Sequence, residues 1–262
     1  GLMRRQLILD SATAATLLVR TTPDGKPMQP PASLAMPIEI DVRRAAIKRA
    51  EINGQHLRDA SFAYRAGPWG HAVSGLTLDT EYGRVAIDGR IEASSPFALE
   101  ARAEIKAPSY AARAAATGSL LNPELDASGE MHAARATAKA RLAPYGERWL
   151  EDLDAHAERV NLSAFDTTLP QTSLDVDLTG AASANGLPAG TLAATNRNPG
   201  TVTVKRVPLV KLTARYALLD RETVELAGLR GDLGAGGSVT GSARLNKRAS
   251  RFDLSVNGLD LR

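Results

Sequence analysis

Apolar and polar residues alternate along most of this chain. In residues 38–43, 85–91 and 97–105, aliphatic, aromatic or small residues occupy every second position, and charged or small residues lie between them. A period of two residues places successive side chains on opposite faces of a β-strand. The pattern therefore predicts strands with one apolar face and one charged face.

The alternation predicts strands almost end to end from 36 to 142, and again from 153 to 257. Turn residues such as Asn53-Gly54 and Asn122-Pro123 separate the strands. No long helical segment interrupts them, so each strand is expected to contact mainly its neighbours in the chain, as in solenoid-like arrays.

Three segments depart from this strand pattern or lie between strands. A Pro-rich stretch at 22–35 predicts a linker or long loop, the spacing of apolar residues in 144–152 predicts a short helix, and 201–206 predicts a further strand. Composition does not shift along the chain, so we expect 1–262 to form a single elongated β unit. Because both ends lie in or near strand pattern, we expect a segment of a longer protein.

The number of strands indicates the shape of the sheet. Roughly eighteen strands, each spaced by ~4.8 Å, exceed the about ten that an open twisted sheet holds before it curls. Aromatic residues make up only 4% of the chain, which suits a thin aliphatic layer better than a thick core. We therefore predict an all-β fold: an elongated curled β-sheet (a β-taco or half-pipe, solenoid-like) with a hydrophobic inner groove. The residues predicted to line the groove are Ile38, Ile40, Val42, Ile47, Ile52, Phe62, Tyr64, Leu76, Leu78, Val85, Ile87, Phe97, Leu99 and Leu254.

Charge and cysteine content exclude several classes of protein. The net charge is only +3, from 32 basic and 29 acidic residues of interspersed sign, and no aromatic residues accompany the basic cluster at 43–49. Nucleic acid is therefore not an expected partner. The absence of cysteine excludes disulfides and thiolate metal ligands. No stretch of the sequence is apolar for long enough to form a membrane-spanning helix.

Residues that could support catalysis do not form a recognisable set. The four histidines lack metal-ligand spacing and are interpreted as exposed strand or loop residues. The Gly-rich segment 231–237 lacks the lysine of a phosphate loop and is interpreted as a turn. Asp175 and Asp177 alternate with aliphatic residues, so they are assigned to the solvated face of a strand. We expect no enzyme activity, no metal and no cofactor.

Two segments carry a resemblance to a known family. In the first, Asn161-Leu162-Ser163-Ala164-Phe165 and Leu169-Pro170 precede the strand pattern at 172–178; in the second, 189–196 is followed by Asn198-Pro199-Gly200 and Val207-Pro208-Leu209. These sequence motifs resemble those of TamB-like translocation and assembly module proteins, which belong to the AsmA-like, bridge-like lipid-transfer superfamily. Residues 31–38 and 226–241 continue in the same style, so the resemblance covers about 30–262.

The resemblance implies a fold, a location and partners. TamB-like proteins are periplasmic proteins of Gram-negative bacteria, anchored in the inner membrane, with a β-taco that carries a hydrophobic groove. They act in outer-membrane biogenesis with TamA, an outer-membrane barrel protein, and are grouped with proteins that conduct phospholipid between membranes. The expected ligand is therefore phospholipid, and the expected partner is a TamA-like barrel protein. The anchor and the docking domain lie in parts of the family that this chain does not match.

Other readings of the apolar face remain open. A chaperone-like scaffold could receive an extended polypeptide at a strand edge and so support outer-membrane protein assembly or translocation. A sealed sandwich core would also show alternating aliphatic residues. A polysaccharide-binding module would need exposed aromatic platforms, of which the sequence has few.

Overall fold

The computed structural model describes residues 6–20, 29–52, 55–220, 222–234, 236–246 and 249–258. The all-β prediction is confirmed, because 69% of the structure is strand, the sheet is open, and the described ranges contain no α-helix. The strands are β1 (Gln6–Leu9), β2 (Ala12–Val19), β3 (Glu39–Ile52), β4 (Gln55–Gly67), β5 (Gly70–Thr80), β6 (Gly83–Glu92), β7 (Leu99–Lys106), β8 (Tyr110–Gly118), β9 (Pro123–Met131), β10 (Ala134–Leu142), β11 (Leu150–Val160), β12 (Leu174–Ala182), β13 (Pro188–Asn196), β14 (Lys211–Leu218), β15 (Thr223–Gly234), β16 (Gly237–Asn246) and β17 (Arg251–Asn257).

Two of the local predictions are wrong. The helix predicted at 144–152 is a series of turns that leads into β11, because Pro144 and Gly146 favour turns and Leu150 is buried as the first strand residue. The strand predicted at 201–206 contains instead a 3₁₀ turn at Val202–Val204, between Pro199-Gly200 and Pro208. The Pro-rich loop predicted at 22–35 lies partly outside the described residues, and its described part, 29–35, contains no strand.

The chain divides into two compact units. Unit 1 comprises Gly1–Ala127 with Leu142–Glu147, and unit 2 comprises Ser128–Arg141 with Arg148–Arg262. In unit 1, strands β3 to β8 form an antiparallel meander in which each strand pairs with the next. β1 and β2 pair in parallel with the first and second halves of β3. In unit 2, β11 to β17 form a second antiparallel meander.

β-Bulges interrupt both meanders at places where the sequence alternation changes phase. In β5 the register shifts between Val73 and Leu76, and Gly75 lies there with φ +59°. In β15 the shift between Leu226 and Leu229 surrounds Gly228, with φ +61°. Glycine adopts this left-handed conformation without the steric cost of a Cβ atom. Each bulge inserts one residue, so the apolar residues on both sides of it keep to one face, and the strand bends.

Few side chains are fully buried. The accessible surface is 17676 Å², against roughly 11,000 Å² for a folded monomer of this mass. The buried apolar residues are mostly alanines, and the only large side chain with less than 2% exposure among the described residues is Phe97. Most side chains therefore pack in a single layer, against neighbours on the same face of a sheet.

Candidate functional site

The apolar face of unit 1 is assembled by strand register. Leu76 of β5 lies opposite Ile87 of β6, which lies opposite Ala103 of β7. Leu78 and Val85 form the next row with Ile105. Residues directly opposite each other in adjacent strands point to the same face. The predicted groove residues that this register brings together are Ile40, Val42, Ile47, Phe62, Tyr64, Leu76, Leu78, Val85, Ile87 and Leu99.

These side chains are neither fully buried nor fully exposed. Leu78 is 9% exposed, and the other residues of the set are intermediate. They contact one another sideways along and across the strands, while no α-helix within the described ranges packs on them. The face is therefore a partly solvated apolar surface that an added apolar ligand could cover further.

The opposite face of the same strands is charged. Arg90 and Arg102 both contact the carboxylate of Glu100, at 2.9 and 3.3 Å. Asp88 lies opposite Arg102 in the register, on the same face. These pairs are largely exposed to solvent, so each contributes at most about 1 kcal/mol to stability. These charged side chains keep this face hydrated. The opposite, apolar face is therefore the side able to bind apolar ligands.

A polar network marks one end of the unit 1 apolar face. Tyr64 Oη and His71 Nδ1 are 2.7 Å apart, and His71 Nε2 is 2.7 Å from the carbonyl oxygen of Leu34. The segment around Leu34 is held there by bonds from its N–H to Ala93 O and from Met36 N–H to Gly67 O. The sequence interpretation of His71 as an exposed residue is wrong, because its ring is half-buried and stacked on Tyr64. This segment therefore borders the end of the face.

Four predicted groove residues lie apart from this face. Phe97 is 1% exposed in the turn after Pro96, where its carbonyl accepts from Leu120 N–H, so it is a core side chain that no surface ligand can reach. Ile38 precedes β3, and Ile52 ends β3 opposite Gln55. Leu254 belongs to unit 2, on β17 opposite Gly241 of β16.

Unit 2 has an apolar face of its own. Leu178, Leu192 and Ala214 lie in one row across β12, β13 and β14. On β14 to β16, the buried residues Ala214, Leu229 and Val239 pack with Leu212, Leu226 and Leu233. No predicted groove residue other than Leu254 identified this face, although the alternation at 174–178 and 237–245 was visible in the sequence.

Tyr216 is the largest side chain buried in the unit 2 face. It lies opposite Gly190, and a Cβ atom on Gly180 of the next strand would be 2.5 Å from its hydroxyl. Because Gly180 lacks a Cβ atom, it leaves the space that the Tyr216 hydroxyl fills. Burial raises the pKa of Tyr216. Its hydroxyl and Asn196 Nδ2 have no hydrogen-bond partner among the described residues.

The outer face of unit 2 carries a charged cluster. His156 Nδ1 lies 2.6 Å from Asp177 Oδ1, and His156 Nε2 lies 3.4 Å from Glu158 Oε1. The hydrogen bond to Asp177 is the main cause that raises the pKa of His156. Asp175 on the same strand pairs with Arg197. The register places Asp175 and Asp177 on the face opposite the aliphatic residues of β12. Asp177 is exposed to solvent there, as predicted, whereas the side chain of Asp175 is only 17% exposed beside Arg197.

The described residues contain no cluster of three or more His, Asp or Glu side chains that could hold a metal ion. None of the helical segments described is long and apolar enough to cross a membrane. Searches against protein-family models, curated proteins and solved structures found no match to this chain.

Proposed function

We propose that the protein carries phospholipid along the apolar face of its β-sheet and that it is not an enzyme. The observation that supports this proposal is the uninterrupted apolar surface across β3 to β8, backed by a charged face on the same strands. An acyl chain that leaves water for such a surface gains about 0.8 kcal/mol per CH₂ group. The headgroup would stay in solvent at the margin of the face.

The chemistry of the lining suits movement of a ligand more than tight capture. Apart from Phe62 and Tyr64, the lining side chains are aliphatic, and they repeat at strand spacing, as in the row of Leu78, Val85 and Ile105. No charged residue interrupts that row. An acyl chain therefore meets similar surfaces at successive positions, which lowers the barrier to sliding.

We also propose, on the sequence resemblance alone, a setting for this activity. It is the periplasm of a Gram-negative bacterium, in a longer protein anchored in the inner membrane that supports outer-membrane biogenesis with a TamA-like barrel protein. No cofactor or nucleic acid has a role in this proposal.

A crosslinking experiment tests lipid carriage directly. A photocrosslinking amino acid is placed at Ile87 on the apolar face, and in a matched protein at Arg102 on the charged face of the neighbouring strand. Lipid extraction and mass spectrometry of the purified proteins should find phospholipid attached at 87 and not at 102. Equal attachment at both positions, or none at 87, would contradict the proposal.

A second candidate function is the scaffold for an extended polypeptide, which one observation favours. All seven residues of β17 are exposed, including Phe252 at 60%. An extended peptide could cover this strand by contacting its exposed apolar side chains, Phe252, Leu254 and Val256. The same crosslinker placed at Phe252 would then capture polypeptide, whereas lipid carriage requires capture of lipid at Ile87.

A further inference from the structure

Two long loops lie side by side at one end of the unit 2 sheet. Residues 161–173 connect β11 to β12, and residues 197–210 connect β13 to β14. Both connections leave the meander at the same end, because β11 and β13 run in the same direction. Loops of more than about 12 residues are uncommon within compact domains and are often functional. We name them the paired loops.

Hydrogen bonds hold the paired loops in a defined conformation. Gln171 N–H donates to Lys205 O at 2.9 Å, and Gln171 forms a parallel bridge with Arg206. Asn161 Oδ1 accepts from Thr172 N–H at 3.1 Å and so closes the first loop. At the start of the second loop, Asn196, the last residue of β13, accepts at Oδ1 from the N–H groups of Ser173 and Asn198 at 3.2 Å, which ties the second loop to the first.

The paired loops present apolar side chains to solvent. Phe165 is 56% exposed, Leu169 is 42% exposed and Val204 is 60% exposed. All three lie outside the strands, and the Phe165 ring makes an edge-on contact with the ring of His132, at 6.5 Å between centroids. Their exposure costs free energy that contact with an apolar medium would recover.

The charge of the paired loops selects the kind of apolar medium. Residues 197–210 include Arg197, Lys205 and Arg206 and no acidic residue; Arg197 is paired with Asp175 of β12, so Lys205 and Arg206 supply the basic charge. Asp166 is the one acidic residue in 161–173, and its carboxylate is occupied by the N–H and hydroxyl of Thr168. Exposed apolar side chains beside basic ones match the surface of a bilayer that contains anionic lipid.

The paired loops also adjoin the apolar face of unit 2. Val210, the last residue of the second loop, donates its N–H to Asp232 O and accepts from Asn196 N–H. Leu212 follows it on β14 as part of the apolar cluster. A lipid that leaves a bilayer at the loops would therefore be next to an apolar strand face.

We propose that the paired loops dock this protein on anionic membrane surfaces, with Phe165, Leu169 and Val204 entering the interface and Lys205 contacting lipid headgroups. The claim that lipid enters the protein at this docking site rests on the proposed function. The claim that the loops bind a membrane does not depend on it.

Vesicle binding tests the docking site with the full chain. The probes are vesicles of phosphatidylcholine alone and of phosphatidylcholine mixed equally with phosphatidylglycerol. The protein should sediment with the anionic vesicles and less with the neutral ones, and added salt should weaken the binding. Phe165→Ser with Val204→Ser should weaken it about tenfold or more, as the loss of two inserted side chains implies. Lys205→Glu should weaken binding to the anionic vesicles only.

Matched controls separate docking from general stickiness and from misfolding. Tyr82→Ser removes an aromatic residue that is 61% exposed in a turn of unit 1, and Arg251→Glu reverses a charge on β17. Both should bind vesicles like the unchanged protein, and circular dichroism should show that every variant keeps its strand content.

The outcomes distinguish this inference from the proposed function. If the loop variants bind anionic vesicles as well as the unchanged protein, or if the unchanged protein does not bind them, the docking site is overturned, whatever is crosslinked at Ile87. If vesicle binding depends on the loops but no lipid is crosslinked at Ile87, docking stands and lipid carriage fails.

Discussion

At the scale of single residues, two tyrosines on apolar faces differ in their hydrogen bonding. Tyr64 shares a hydrogen bond with His71, whereas the hydroxyl of Tyr216 is buried without a partner among the described residues. A hydrogen bond contributes about 1 kcal/mol net, while an unsatisfied buried group costs free energy. We therefore expect Tyr64→Phe to lower the free energy of unfolding by about 1 kcal/mol, and Tyr216→Phe to leave it unchanged or raise it.

Urea denaturation of the two phenylalanine variants checks this prediction. Each substitution removes the same atom, so a difference in sign reports the hydrogen bond and not the change in side-chain volume. A Tyr216→Phe variant destabilised as much as Tyr64→Phe would mean that the Tyr216 hydroxyl has a favourable interaction after all.

His156 should titrate at higher pH than an ordinary histidine. Its pKa is raised from 6.5, first by the hydrogen bond to Asp177, and burial opposes this shift. Because the pKa is higher in the folded state, the stabilisation is complete below about 6.5 and is lost as the pH rises through the folded pKa. Since the cluster is exposed, the effect on stability is small. NMR titration should show the raised pKa in the unchanged protein and a lower one in Asp177→Asn; equal values in the two proteins would contradict the assignment.

At the scale of strands, the alternation along β5 decides which residues face the apolar side. Deleting Gly75 would remove the extra residue between Val73 and Leu76. Val73 and Leu76 would then be separated by Ser74 alone and would stay on the same face of a regular strand. Deleting Thr77 instead would make Leu76 and Leu78 adjacent, which turns the side chains on one side of the deletion to the opposite face. We expect the Thr77 deletion to abolish cooperative unfolding of unit 1, followed by circular dichroism in urea, and the Gly75 deletion to preserve it. Gly75→Ala is the matched control: no atom lies within 4 Å of the added methyl, so only the cost of a positive φ, about 1–2 kcal/mol, applies. A Thr77 deletion that is tolerated as well as the Gly75 deletion would show that alternation along β5 does not set the facing.

The strands were predictable because apolar and polar residues alternate along each of them. The bulges and turns that interrupt the alternation were harder to predict. The alternation breaks at Arg43-Arg44, yet 39–52 form one strand, β3, because the register shift between Val42 and Ala45 absorbs the break. The same ambiguity produced the false strand at 201–206, where flanking turn residues outweigh β-branched ones.

The candidate site was predictable where it depends on alternation alone. Ile87 and Leu99 were assigned to the apolar face by sequence, and the register places them there. Phe97 was not assignable, since it extends the alternation of 99–105 but lies in a turn with φ +60°. The contact of His71 with Leu34 joins residues far apart in sequence, and alternation holds no information on such pairs.

At the scale of the whole molecule, each unit is a sheet with one apolar and one charged face, and the surface area exceeds that of a folded monomer of this mass. An amphipathic layer of this kind commonly buries its apolar face against a second layer of the same domain. Since partial exposure persists across β3 to β8, the free energy gained by covering the face is available to a ligand. The single-layer packing therefore leaves exposed the apolar surface that the proposed transport of lipid requires.

A carboxylate in the middle of the unit 1 apolar face should prevent this face from binding lipid. Ile87→Asp places a carboxylate between Leu76 and Ala103, whereas Ala86→Asp places one on the outer face of the same strand, opposite Glu104. The free energy of a carboxylate buried against acyl chains is far less favourable than that of a carboxylate in water. We therefore expect Ile87→Asp to lose most of the phospholipid that copurifies with the protein, and Ala86→Asp to retain it. The measurement is lipid phosphorus per mole of protein, and circular dichroism checks the strand content of each variant. Because Ile87→Asp could also disturb packing, Ile87→Asn serves as a second polar variant. If folded Ile87→Asp retained its full lipid content, the apolar face would not be the lipid site.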